Sequence, residues 1–170
     1  MKPLPLLASL ALAIGSPPAD ADHRDVLFLG NSYTNSNQLP ALVESLANAA
    51  GHTMLRAQNT PGGNTLGAPQ GNGNEHVNNT TSLALIQSRP WDHVVLQEQS
   101  VIPSIDFPKN NWMFPAATTL DQVIKTGSPA SNTTFFLTWG RKNGGQQCWS
   151  THCSPAFADY FAMQDALDSA

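Results

Sequence analysis

Charge is scarce in this chain, and positive charge is scarcer still: eight Lys and Arg stand against twelve Asp and Glu in 170 residues, a formal net charge of −4. A balance this mildly acidic excludes nucleic acid as a partner, because phosphate backbones need a basic face. Long hydrophobic runs are missing too. The one near the start, Leu4 to Ile14, is shorter than the roughly 20 apolar residues that cross a bilayer, and no later segment approaches that length. Neither Gly-x-Gly-x-x-Gly nor Gly-Lys-Ser/Thr follows a candidate strand, which argues against a nucleotide-phosphate loop. Cysteine is limited to Cys148 and Cys153, and no internal repeat is visible.

What is present begins with a leader. Met1 and Lys2 precede the apolar run, and Ala19-Asp20-Ala21 supplies a small-x-small site, so residues 1–21 read as a secretory signal peptide cleaved after Ala21. Residues 22–170 then form one domain, large enough for a single buried core, in a secreted or periplasmic protein. Export implies an oxidising compartment, where Cys148 and Cys153 close a small disulfide loop. Reading Cys148, His152 and Cys153 as metal ligands fits no usual zinc spacing, and no second cluster completes the set. Neither a metal nor a cofactor is expected.

Strands and helices alternate along the remainder. Asp25 to Leu29 is a buried strand ending at Gly30, and Leu39, Leu42, Val43 and Leu46 recur at helical spacing, an amphipathic helix packed on the sheet. His52 to Ala57 supplies a second strand. Asn59 to Asn79 reads as a long surface loop, of a length that is uncommon unless functional or disordered. A helix over Thr81 to Ser88, a strand over His93 to Leu96, a helix around Ala116 to Lys125, a strand over Thr133 to Thr138 and a last helix from Pro155 to Ala170 follow. Connections too long for hairpins imply parallel strands and a three-layer α/β/α sandwich with a flavodoxin-like sheet.

In an open parallel sheet, ligands bind beyond the carboxyl ends of the strands. Those ends carry Gly30-Asn31-Ser32-Tyr33-Thr34, Pro61-Gly62-Gly63-Asn64-Thr65, Gln97-Glu98-Gln99-Ser100 and Trp139-Gly140-Arg141. A serine just past a strand can expose its hydroxyl as a nucleophile where backbone amides meet developing negative charge. Ser32 has that position, although turn and cap serines share it.

The run Val26-Leu27-Phe28-Leu29-Gly30-Asn31-Ser32 resembles the first block of the SGNH (GDSL-like) hydrolase superfamily, and Gly62-Gly63-Asn64-Thr65 resembles its second. The resemblance extends from Asp25 to about Gly140. It implies that Ser32 is the nucleophile and that the Gly63 amide lies in the oxyanion hole. The third block departs from the family's Gly-x-Asn-Asp: Gln97-Glu98-Gln99-Ser100 stands there, with Gln97 as the substitute amide donor and Gln99 as the alternative. A glutamine in this place is similar to carbohydrate acetylesterase branches, which implies an esterase acting on a small-molecule or carbohydrate ester.

Such an enzyme needs a general base oriented by a carboxylate, supplied in the family by an Asp-x-x-His near the C-terminus. No such block occurs before Ala170. The expectation is therefore a domain incomplete at its C-terminus, its last strand and helix missing. His23, His52, His76 and His93 have structural explanations, and His152 is the one histidine on the active side of the sheet. A non-catalytic binding protein on the same scaffold, using Tyr33, Trp112, Trp139 and Trp149 against a sugar or similar ligand, is the competing reading.

Overall fold

A computed structural model of the chain describes residues 22–70 and 75–170, so the leader assigned to residues 1–21 lies outside the described residues. Four parallel strands form the sheet: β1 (His23–Leu29), β2 (Thr53–Asn59), β3 (His93–Leu96) and β4 (Asn132–Phe135), in the spatial order β2-β1-β3-β4. Helices flank the sheet to give the three-layer α/β/α sandwich. The short α1 (Ser32–Asn35) and the longer α2 (Leu39–Ala49) join β1 to β2, and α3 (Thr80–Gln87) joins β2 to β3. Between β3 and β4 a 3-10 turn at Ile102–Ser104, the single turn α4 (Asp106–Pro108), a π-helical stretch at Lys109–Met113 and α5 (Phe114–Gly127) follow one another.

Side-chain alternation in β1 divides the core. Leu27 and Leu29 pack with Val94 and Leu96 of β3, Ile86 of α3, and Ala116, Ala117, Leu120 and Ile124 of α5, all buried in one cluster. Each fully buried aliphatic side chain contributes roughly 1.5–3 kcal/mol, so this face carries most of the hydrophobic stabilisation. The other face is thinner. Leu42 and Leu46 of α2 remain 49% and 63% exposed, against the expectation of a helix stripe packed on the sheet. The cause lies in strand order: α2 contacts β2, the edge strand, and no strand lies beyond it among the described residues.

The C-terminal region also differs from its sequence reading. In place of a helix starting at Pro155, an antiparallel hairpin of β5 (Gly145–Trp149) and β6 (His152–Phe157) precedes α6 (Tyr160–Asp168). Pro155, which lacks a donor, lies where the ladder shifts register, and there the Gln147 amide donates to Ser154 Oγ. Asp159 caps α6 by accepting from the Ala162 amide at 2.9 Å. A disulfide between Cys148 and Cys153, paired residues of the hairpin, closes the loop the sequence suggested and takes both thiols from the metal reading. Among the described residues no metal-binding cluster of His, Cys, Asp and Glu occurs, and no helix is long and apolar enough to cross a membrane.

The disulfide closes a loop with a sequence separation of 5, for which chain entropy gives about 2 kcal/mol of stabilisation. Replacing Cys148 and Cys153 together by serine should lower the unfolding free energy measured by urea titration by that amount. Reductant should shift the wild-type chain equally and leave the double variant unmoved; a reductant effect on the double variant would show that the bond is not the source.

Candidate active site

The sheet fixes where chemistry can occur. The chain leaves β1 for β2 on one side and later returns to β3 on the other, so a crevice opens between the carboxyl ends of β1 and β3. The Gly30–Thr34 turn sits at that crevice. Ser32 is exposed at the first position of α1, and neither its hydroxyl nor its amide has a hydrogen-bond partner among the described residues. The preceding Asn31 caps α1, its Oδ1 accepting from the Tyr33 amide at 3.0 Å.

Asn31 also ties the three strand ends together. Its Nδ2 donates to the Asn64 carbonyl at 2.8 Å, and its backbone amide donates to Gln97 Oε1 at 2.9 Å. Thr34 Oγ1 donates to the same Gln97 oxygen at 2.9 Å, and Gln97 is fully buried. The Gln97 amide nitrogen donates to the Glu98 carbonyl. The side chain that the sequence reading offered as a substitute oxyanion-hole donor thus has its oxygen committed beneath the Gly30–Thr34 turn, where it holds the end of β1 to β3. Gln99 accepts from the Val101 amide at 2.8 Å through Oε1, while its amide nitrogen is unbonded among the described residues.

Gly63 lies in a turn closed by the Asn64 amide donating to the Pro61 carbonyl at 3.2 Å. Its φ of 72° is the left-handed value that the third position of a type II turn requires, and glycine adopts it without strain. The Gly63 amide has no acceptor among the described residues. Its neighbour Asn64 is buried, accepts from Gln70 Nε2 at 2.8 Å through Oδ1, and leaves Nδ2 as a buried donor without a partner. An unpaired buried amide is expensive, a cost that the Asn64 side chain bears here.

The segment from Asn59 to Asn79 is not the plain surface loop its composition suggested. Asn64, Thr65, Leu66, Ala68, Glu75 and His76 are all buried. His76 Nε2 bonds the Gly30 carbonyl at 2.8 Å, and its Nδ1 bonds Ser82 Oγ at 2.7 Å. A carbonyl can only accept, so Nε2 carries the proton and Nδ1 accepts from the serine; Asn59 Nδ2 donates to Ser82 Oγ at 2.8 Å. Burial holds the His76 imidazole down at about 4, against the pull of the Gly30 carbonyl. Glu98 is buried on the other side of the crevice. Its Oε1 accepts from the amides of Leu66 at 3.1 Å and Gln99 at 2.6 Å, yet desolvation prevails and pushes the carboxyl up to about 8.

The remaining histidines lie elsewhere. His23 and His93 open β1 and β3 at the amino end of the sheet, and His52 bonds the Asp22 amide there. His152 stacks on Phe107 with ring centroids 4.0 Å apart and meets Trp112 edge-on at 5.4 Å. None of the five hydrogen-bonds Ser32. Arg141, after β4, donates through Nη1 to the Tyr33 hydroxyl at 2.8 Å and through Nη2 to Ser100 Oγ at 3.0 Å. Asn31, Asn64, His76, Glu98 and Arg141 escaped the sequence reading as site residues; an acid directly after a buried strand was the available sign for Glu98.

The two buried ionisable groups give opposite dependences on pH. Glu98 keeps its proton in the folded chain up to about 8 but would lose it near 4.5 when unfolded, so stability falls as pH rises through that window. Folded His76 refuses a proton that the unfolded chain takes below 6.5, so its contribution is lost as pH falls toward 4. The slopes oppose each other between 4.5 and 6.5, and above 6.5 Glu98 acts without opposition from His76. The unfolding free energy from urea titrations should decline from there to pH 8, by at most about 1.4 kcal/mol per pH unit. Glu98→Gln should abolish the decline while keeping the acid-side loss; a decline that survives the substitution would have another origin.

No family model and no curated protein matches this sequence. Solved structures do. The chain superposes on a proposed SGNH hydrolase from Slackia heliotrinireducens with a TM-score of 0.61 and 21% identity, over 86% of this chain and 71% of that one. It superposes on a DUF4886 family protein from Bacteroides uniformis with a TM-score of 0.57 and 16% identity, over 87% of this chain and 62% of that one. The Ser32 turn, the glycine turn and the parallel sheet that positions them therefore stand on an SGNH-hydrolase-like fold.

Proposed function

We propose that this chain carries the nucleophile and oxyanion hole of an exported serine hydrolase that cleaves carboxylic esters, acetyl esters of carbohydrates among them. The observation that carries the reading is an exposed, unbonded Ser32 hydroxyl on a turn that Asn31 ties to the glycine turn through the Asn64 carbonyl, with the backbone amides of Ser32 and Gly63 both unbonded among the described residues. Ser32 Oγ attacks the ester carbonyl carbon as its proton passes to a base. The carbonyl oxygen becomes an oxyanion held by the donors, and its collapse expels the alcohol, which takes up a proton, to leave an acyl-serine. Water then adds to the acyl-serine and releases the carboxylic acid. Gln97 serves this chemistry as a positioning residue, holding the turn from below; Gln99 is a further amide at the rim. The disulfide supports export to an oxidising compartment, secreted or periplasmic.

A second reading, a non-catalytic binding protein for a carbohydrate or other small ligand, is favoured by one observation: no histidine hydrogen-bonds Ser32. Hydrolysis of a short-chain aryl ester, measured with and without added imidazole as an external base, separates the two. Turnover that imidazole accelerates and Ser32→Ala abolishes is the expected result. Rates identical in wild type and Ser32→Ala under both conditions would overturn the hydrolase reading in favour of binding.

A further inference from the structure

Four arginines occur in the chain, and three of them face carboxylates. Arg24 pairs with Asp22 and Asp92, Arg56 with Glu44, and Arg89 with Asp25. Arg141 pairs with none among the described residues; its partners are two neutral hydroxyls, those of Tyr33 and Ser100. In a protein with so few cations, a guanidinium held in place without a counter-charge has a specific meaning.

Its position is built rather than incidental. The backbone leading into it is pinned to α6: the Gly140 amide donates to Gln164 Oε1 at 2.9 Å, and the Arg141 amide approaches Met163 Sδ at 3.1 Å. Gly140 is required there, since a Cβ would come within 2.7 Å of the Tyr160 carbonyl oxygen. The guanidinium then joins residues that follow β1, β3 and β4, and Ser100, its inner anchor, is only 1% exposed. Two of five N–H donors are used in these bonds, and the fork suits a carboxylate geometrically. Beside it, the rings of Tyr33 and Trp139 lie 5.0 Å apart at 45°, and Trp139 is 50% exposed. The aromatic pair offers an apolar surface to one face of a pyranose ring. Tyr33 adjoins Ser32, so a ring held there lies beside the nucleophile.

We propose that Arg141, with Tyr33 and Trp139, forms a subsite for a sugar bearing a carboxylate, so that the substrate is an ester of an acidic carbohydrate. The ester chemistry rests on the hydrolase reading above; the binding does not. The test is titration of tryptophan fluorescence with methyl glucuronide and, separately, methyl glucoside. Wild type should bind the glucuronide roughly tenfold or more tightly than the glucoside, as a charge-assisted bidentate pair allows, with the margin shrinking at high salt. Arg141→Gln should reduce the ratio to about one, and Arg141→Lys, which keeps the charge but not the fork, should restore part of it. Ser32→Ala should keep the full margin. Equal affinities in wild type, a margin that survives in folded Arg141→Gln, or no binding of either sugar would each overturn the subsite. Failure of the hydrolase reading shows separately, as ester turnover indifferent to Ser32→Ala.

Discussion

At the end of β1, Gly30 leaves room for the Gln97 side-chain oxygen, which extends the β1–β3 ladder into the turn that follows β1. A Cβ on Gly30 would fall 2.8 Å from that oxygen and 2.3 Å from Thr34 Oγ1, so any larger residue pushes apart the groups that meet there. Because the space is empty, Gln97 Oε1 accepts from both the Asn31 amide and the Thr34 hydroxyl. Both bonds are buried, where an amide oxygen has no water to fall back on and a lost partner costs about 1–3 kcal/mol. The conformation of the nucleophile turn follows from this pair of bonds. Asn31, fixed by them, caps α1 and reaches across to the Asn64 carbonyl, which sets the glycine turn against the serine turn.

Polar contacts of this kind do for the crevice what aliphatic packing does for the sheet. The segment from Asn59 to Asn79 contributes only Leu66 and Val77 to the main core, too little apolar area to order so many residues. It is held instead by backbone pairs, His76 to Thr65 and Val77 to Leu66, and by two ionisable side chains that stay uncharged near neutral pH. Neutral His76 anchors the segment to the Gly30 carbonyl, and neutral Glu98 anchors it through the Leu66 amide. Ionising either one in place would put an unpaired charge in a buried site. The pH sensitivity of the fold and the order of its candidate site thus have the same two residues as their source.

How far the sequence revealed this depends on the range of the interactions. The parallel strands were legible because burial on both faces leaves continuous apolar runs such as Val26 to Leu29 and His93 to Leu96. The place of Ser32 just past β1 and the turn at Gly63 were legible because a strand end and a glycine-rich turn are local features. The partners of Gln97 were not legible, since its side chain is claimed by Asn31 and Thr34, more than sixty residues away. Long range likewise hid His76, bonded to the Gly30 carbonyl 46 residues away, and Arg141, whose partners lie 108 and 41 residues away. The hairpin at Gly145–Phe157 was hidden because its short strands carry little alternation, and its register depends on a bulge beside Pro155.

The histidines show what such a sheet can and cannot assemble. β1 has seven residues, roughly 20 Å from end to end, and His23 stands at its amino end while Ser32 follows its carboxyl end. His52 and His93 share the amino end with Asp22 and Arg24. His76 lies near the nucleophile turn, but both of its nitrogens are engaged, and its proton points at a backbone carbonyl. His152 lies on the hairpin, stacked against Phe107 and Trp112. In the proposed reaction, stabilising an oxyanion and activating a hydroxyl are therefore separate tasks. The unbonded amides of Ser32 and Gly63 would serve the first; the second requires a base that none of the five histidines provides in this arrangement.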